Sequence, residues 1–164
     1  MNSQKNNPDK IIVHHTADTF EGLQFDKVNI WHKQRDFPVS SFGYFIGYHY
    51  FIERNGTVKQ GRKDSDVGAH TKGQNFTSIG IGLAGNFNKE SPTIAQKVKL
   101  GSLCKEIMVR FNIPITQIFP HRKYSATSCY GAKLEEKWAA YNVIEYQIGQ
   151  IAKIISWLRI KLNL

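Results

Sequence analysis

Cysteine is scarce in this chain. The 164 residues hold two, Cys104 and Cys129, too few for a disulfide framework. Long apolar runs are lacking as well, and no uncharged stretch reaches the roughly 20 residues that span a bilayer as a helix. The opening residues, MNSQKNNPDK, have no apolar segment, so no signal peptide is expected and synthesis is expected in the cytoplasm. Acidic residues are outnumbered, 13 against 22 Lys and Arg, for a formal net charge of +9. That excess serves solubility or draws the protein to a polyanion, such as an anionic lipid or an anionic cell wall. The basic residues form no long run, so no nucleic-acid arm is indicated and no nucleic-acid partner is expected.

What is present suits one domain around one core. Ile11 to Val13, leading into His14 and His15, reads as a buried strand. Residues 22–35, with Leu23, Val28, Ile30 and Trp31, read as a short amphipathic helix, and His32 on it as a surface or packing residue. Ile46 to Ile52 is rich in aromatic and β-branched residues, and the Asn55-Gly56 pair after it predicts a hairpin. Residues 62–77 form a long polar loop, and Ser78 to Ala84 another strand. A helix is expected over 92–112, with Pro92 in its first turn and Cys104 as a small buried hydrophobe. A short strand is expected at Ile115 to Phe119, a loop at 122–131, and helix from Lys133 onward. Strands and helices thus alternate around one hairpin. The fold class is α/β: a single domain with a central mixed β-sheet flanked by helices, plus a C-terminal amphipathic helix.

The densest chemistry lies in His121-Arg-Lys-Tyr-Ser-Ala-Thr-Ser-Cys129. An imidazole and a thiolate are donors that zinc prefers. His14 and His15, at the end of a buried strand, are the best suppliers of a third donor. Successive strand residues face opposite ways, so one of the pair can face the site, and periodicity alone does not say which. Three protein ligands leave the fourth tetrahedral position open, as in catalytic zinc sites.

Four blocks carry a resemblance: IIVHHTA at 11–17, IGYHYFIERNGTVKQGR at 46–62, VGAHTKGQNFTSIGIGLAGNF at 67–87 and HRKYSATSC at 121–129. Their order and spacing resemble the zinc-dependent N-acetylmuramoyl-L-alanine amidases, the family of phage lysozymes, bacterial autolysins and animal peptidoglycan recognition proteins. The resemblance runs from about Lys10 to Gly131. It implies hydrolysis of the amide bond between N-acetylmuramic acid and L-alanine in bacterial peptidoglycan, with one Zn2+ held by His14, His121 and Cys129. It also implies that His15 is a packed neighbour and not a ligand. Tyr48 falls where the family places a hydroxyl beside the metal. Thr127 falls where members carry Lys or Thr, and Thr offers a neutral hydrogen bond there. His70 and Asn75 fall in the loop that lines the substrate groove, as contacts to sugar or peptide, whereas strand alternation turns His49 away to a structural role. The family follows its Cys with Pro-Gly. Here Tyr130-Gly131 stands there, and the loss of Pro is expected to loosen the turn. The resemblance also implies the role of an endolysin, made without a signal peptide and acting on the cell wall after release. Members that only bind peptidoglycan lack the Cys ligand; a binding-only module is the alternative.

The segmentation expected is a flexible tail at 1–9, the zinc amidase domain at 10–131 and a helical extension at 132–164. In the extension Ile144, Ile148, Ile151, Ile155, Leu158 and Leu162 recur in steps of four and three, a heptad-type seam. Three fates stay open for the 141–164 helix: packing back on the domain, self-association, or contact with an anionic membrane.

Overall fold

The computed structural model describes residues 5–162. Residues 1–4 of the expected tail and 163–164 of the expected extension lie outside the described residues. Five strands form one mixed sheet in the order β3-β2-β4-β1-β5: β1 Lys10–His15, β2 Tyr50–Ile52, β3 Val58–Gln60, β4 Ser78–Leu83 and β5 Ile118–Pro120. β1 pairs in parallel with β4 and β5, β4 in parallel with β2, and β2 antiparallel with β3. The hairpin falls where Asn55-Gly56 predicts it. Gly56 alone takes the left-handed conformation there, with φ of 85°.

The two faces of the sheet have different tasks. Ile11, Val13, Ile79, Ile81 and Leu83 join Leu100, Cys104 and Ile107 of helix α2 (Ile94–Phe111) and Val143 of helix α3 (Trp138–Leu162) in the main core. Full burial of each such side chain stabilises the fold by roughly 1.5–3 kcal/mol. On the opposite face helix α1 (Phe25–Lys33) packs Phe25 and Val28 with Ile46, Tyr48 and Phe51. His14 lies on that second face and His15 on the first, because neighbours along β1 alternate.

Several boundaries differ from the expectation for physical reasons. Residues 6–9, expected in the tail, run along the sheet: Asn6 is buried and its Nδ2 donates to Asp64 O and Ser78 O, both at 3.0 Å. Regular pairing in the 46–52 segment is confined to Tyr50–Ile52, because Gly47 lies against the Ala69 carbonyl, where a Cβ would come within 2.2 Å. Helix α2 starts from a capping box of Thr93 and Gln96, so Pro92 precedes the cap instead of filling the first turn.

α1 has no cap of its own. The buried carboxylate of Glu53 supplies one from the end of β2, accepting from Gln24 N at 2.8 Å and Phe25 N at 2.9 Å. Glu53→Ala would strand both donors, and we expect it to lower stability by roughly 3 kcal/mol, measured as the shift of a urea unfolding curve.

α3 packs through its first turns, where Ala139 and Val143 are buried, while residues 151–161 are exposed throughout. No helix among the described residues is long and apolar enough to cross a membrane.

Candidate metal centre and cleft

A cleft of about 370 Å³ opens at the carboxyl ends of β1 and β5, with His14, Tyr48, His70, His121, Thr127 and Cys129 in its lining. β1 delivers His14, and the chain leaving β5 turns at once into His121. Cys129 returns across the end of β1, where its Sγ accepts from His15 N at 3.3 Å and lies 3.8 Å from His14 Nδ1. Donor atoms of His14, His121 and Cys129 all lie within 4.8 Å of one another, so this group could hold a metal ion. Burial, reinforced by the His70 and His121 imidazoles, holds His14 well below its ordinary pKa, and burial also lowers His121. Both imidazoles are therefore neutral at neutral pH, the form that can donate a lone pair. Burial pushes the Cys129 thiol up to about 12.

The glycines of SIGIGL make the floor of the cleft. A Cβ on Gly82 would meet the Tyr48 ring at 2.5 Å, and one on Gly80 would meet the His70 ring at 2.5 Å. Bare backbone at these alternate positions lets both rings lie flat on β4 beside His14, whose ring is 5.1 Å from each. The Tyr48 hydroxyl has no hydrogen-bond partner among the described residues, and burial raises its pKa so that it stays protonated. Thr127 Oγ1 accepts from Cys129 N at 3.3 Å, which leaves its O–H free to donate.

Asn75 is not in the cleft lining. Its Oδ1 accepts from His70 N at 3.0 Å and Thr71 N at 2.9 Å, so it shapes the loop that carries His70. His70 itself lines the cleft but bonds to His14, with Nδ1 3.1 Å from His14 Nε2. The turn after Cys129 is not loose. Tyr130 is fully buried, its hydroxyl donates to Glu136 O at 2.6 Å, and Arg122 donates to Gly131 O and Leu134 O at 2.7 Å. An aromatic anchor thus holds this turn without Pro.

His32 was legible only as a surface or packing residue. It is buried, accepts from Gly47 N at 2.9 Å through Nδ1 and stacks on Phe37, which holds the wall behind Tyr48. His15 accepts from Phe87 N at 3.0 Å, and His49 from Gly80 N at 3.0 Å. Burial brings each of these three imidazoles down to about 4; nearby Arg35 and Arg62 add to the effect at His32. The unfolded chain takes up these protons near pH 6.5, whereas the folded chain resists until about pH 4. Stability should therefore be complete above about pH 6.5 and fall on acidification towards pH 4, by as much as roughly 3 kcal/mol for each imidazole. Urea midpoints measured between pH 7.5 and 4.5 check this.

The model of the family described as N-acetylmuramoyl-L-alanine amidase matches residues 4–132. The endolysin of Escherichia phage T7 is 28% identical over 152 residues, covering 89% of this chain and 95% of its own. The endolysin of Klebsiella phage KP32 is 32% identical over 128 residues, covering 75% of this chain and 80% of its own. Among solved structures, the N-acetylmuramoyl-L-alanine amidase LysC from Clostridium intestinale URNW superposes with a TM-score of 0.66 at 37% identity, over 77% of this chain and 78% of that one. Because the matched residues include every element that builds the cleft, the chain belongs to the N-acetylmuramoyl-L-alanine amidase family.

Proposed function

We propose that this amidase cleaves the bond between the lactyl carbonyl of N-acetylmuramic acid and L-alanine in bacterial peptidoglycan, using one zinc ion held by His14, His121 and Cys129. The observation that carries the reading is the convergence of those three donors within 4.8 Å in the lining of an open cleft. The donors fit the metal. Two imidazoles are kept neutral by burial, and a thiol pushed up to about 12 needs a cation beside it before it ionises.

When bound, zinc polarises the carbonyl and brings the pKa of water at the site to about 7. The chain does the rest. Tyr48, protonated and without a protein partner among the described residues, donates to the carbonyl oxygen as that oxygen gains negative charge. Thr127, also in the cleft lining, offers a second donor, its orientation fixed by the Cys129 N–H that it accepts. The loop held by Asn75 and the wall held by His32 keep these groups still while the charge shifts.

Incubating the zinc-loaded protein with a soluble muropeptide tests this against the binding-only alternative. Release of the free peptide supports catalysis; a muropeptide that binds and stays intact supports the alternative. The site of action we propose is the bacterial cell wall, in line with the chain's similarity to proteins named endolysins.

The partner proposed for the open face of α3 is an anionic lipid surface. Residues 146–161 carry Lys153, Arg159 and Lys161 with no carboxylate, beside exposed Ile148, Ile151 and Ile155. Cosedimentation with phosphatidylglycerol vesicles, lost in high salt, is the expected outcome. A concentration-dependent dimer without lipid would assign that face to a second copy.

A further inference from the structure

A chain of hydrogen bonds behind His14 has a single consistent polarity. Ser78 Oγ donates to Gln74 O at 2.7 Å, which commits its one proton. It therefore meets His70 Nε2, 3.4 Å away, with a lone pair. His70 must carry its proton on Nε2, and its Nδ1 is left as an acceptor. That acceptor stands 3.1 Å from His14 Nε2. Thr71 Oγ1 lies 3.0 Å from His70 Nδ1 and 3.4 Å from His14 Nε2. It can donate to the same lone pair or accept from His14; were it to donate to a bare His14 Nε2, that nitrogen and His70 Nδ1 would face each other with opposed lone pairs at 3.1 Å, so His14 Nε2 is the donor.

We infer that His70, oriented by Ser78 and Asn75, is a positioning residue that fixes His14 in the Nε2–H tautomer and so presents the His14 Nδ1 lone pair to the metal site beside Cys129. The inference rests on the zinc reading of that site only in its last clause; the tautomer follows from the protein alone. His70 is itself held closely. A Cβ at Gly68 would meet its ring at 2.6 Å and one at Gly80 at 2.5 Å, so the imidazole is seated on bare backbone on both sides. His14 needs that orientation: it sits on a strand, its ring contacts Tyr48 and His121, and among the described residues, besides His70, only the longer 3.4 Å contact with Thr71 Oγ1 reaches its Nε2. A partner that holds a ligating imidazole typically changes metal affinity by about 10–100-fold when removed.

The test uses the full chain in two measurements. In zinc-free protein, 15N chemical shifts of the His14 ring should report protonated Nε2 and bare Nδ1. In a chelator competition, His70→Phe, which keeps the ring but removes the acceptor, should weaken zinc binding by about 10–100-fold. His70→Asn, whose Oδ1 can stand near the place of Nδ1, should recover most of that loss. A His14 ring protonated on Nδ1 in the zinc-free protein would overturn the inference even if the His70 variants fail to fold. The correct tautomer with zinc affinity unmoved in a folded His70→Phe would overturn the positioning role. Zinc absent from every form, with the tautomer as expected, would count against the zinc reading and leave the tautomer standing.

Discussion

Cys129→Ser should cost the enzyme its metal and at least about a thousandfold in kcat/KM, which is roughly 4 kcal/mol of transition-state stabilisation. The sulfur occupies a place that no neighbour can fill. It is buried, it accepts from His15 N, and it stands 3.8 Å from His14 Nδ1. A serine hydroxyl there is smaller, does not ionise near neutral pH, and is a harder and weaker donor to zinc than a thiolate. The backbone around it should persist, because Arg122 N donates to Cys129 O at 2.7 Å and Tyr130 remains buried behind it. The expected signature is therefore a folded protein by circular dichroism, without bound zinc by elemental analysis and without muropeptide hydrolysis. Full zinc content and activity in this variant would remove Cys129 from the site.

The second large effect is expected at Tyr48. Tyr48→Phe should lower kcat by about a hundredfold, the usual cost of removing one donor aimed at developing negative charge. Zinc content, fold and KM should stay close to the parent. The ring packs against His14 and Phe51 and over Gly82, and Phe preserves all of that. The hydroxyl serves no structural partner among the described residues, so its loss should be felt in turnover and not in stability. A fall in KM affinity with kcat unchanged would instead make Tyr48 a binding contact.

The strand and helix segments, the hairpin and the His121–Cys129 pair were largely legible in the sequence because each rests on local signals, whereas the choice of His14 over His15 came from the family resemblance. Alternating apolar residues, an Asn-Gly turn and a His–Cys loop are each patterns contained within about a dozen residues. What was not legible depends on contacts between distant segments. Alternation left His14 and His15 equivalent until the pairing of β1 with β4 placed His14 opposite Gly82, on the face with the cleft. His70 and Asn75 read as substrate contacts because their loop resembles the one that lines the family's substrate groove. Only the fold shows that the loop closes over β4 and turns His70 onto His14. The cap that Glu53 gives α1 spans 28 and 29 residues in sequence and has no local signature. Tyr130 looked like the loss of a constraint, yet it adds one, because an aromatic ring there reaches a buried place between Arg122 and Trp138. The glycine spacing of β4 was visible as sequence and unreadable as function until the rings that it admits were known.

Hydrolysis of the muramoyl–L-alanine bond by this chain is expected to need its metal. Mass spectrometry of purified peptidoglycan digested with the protein, with and without a chelator, tests it most directly. New free L-alanine amino termini and intact muramic carboxylates are expected, abolished by chelator and restored by zinc. Cleavage at a glycosidic bond or a peptide crosslink, or cleavage that chelator leaves untouched, would contradict it.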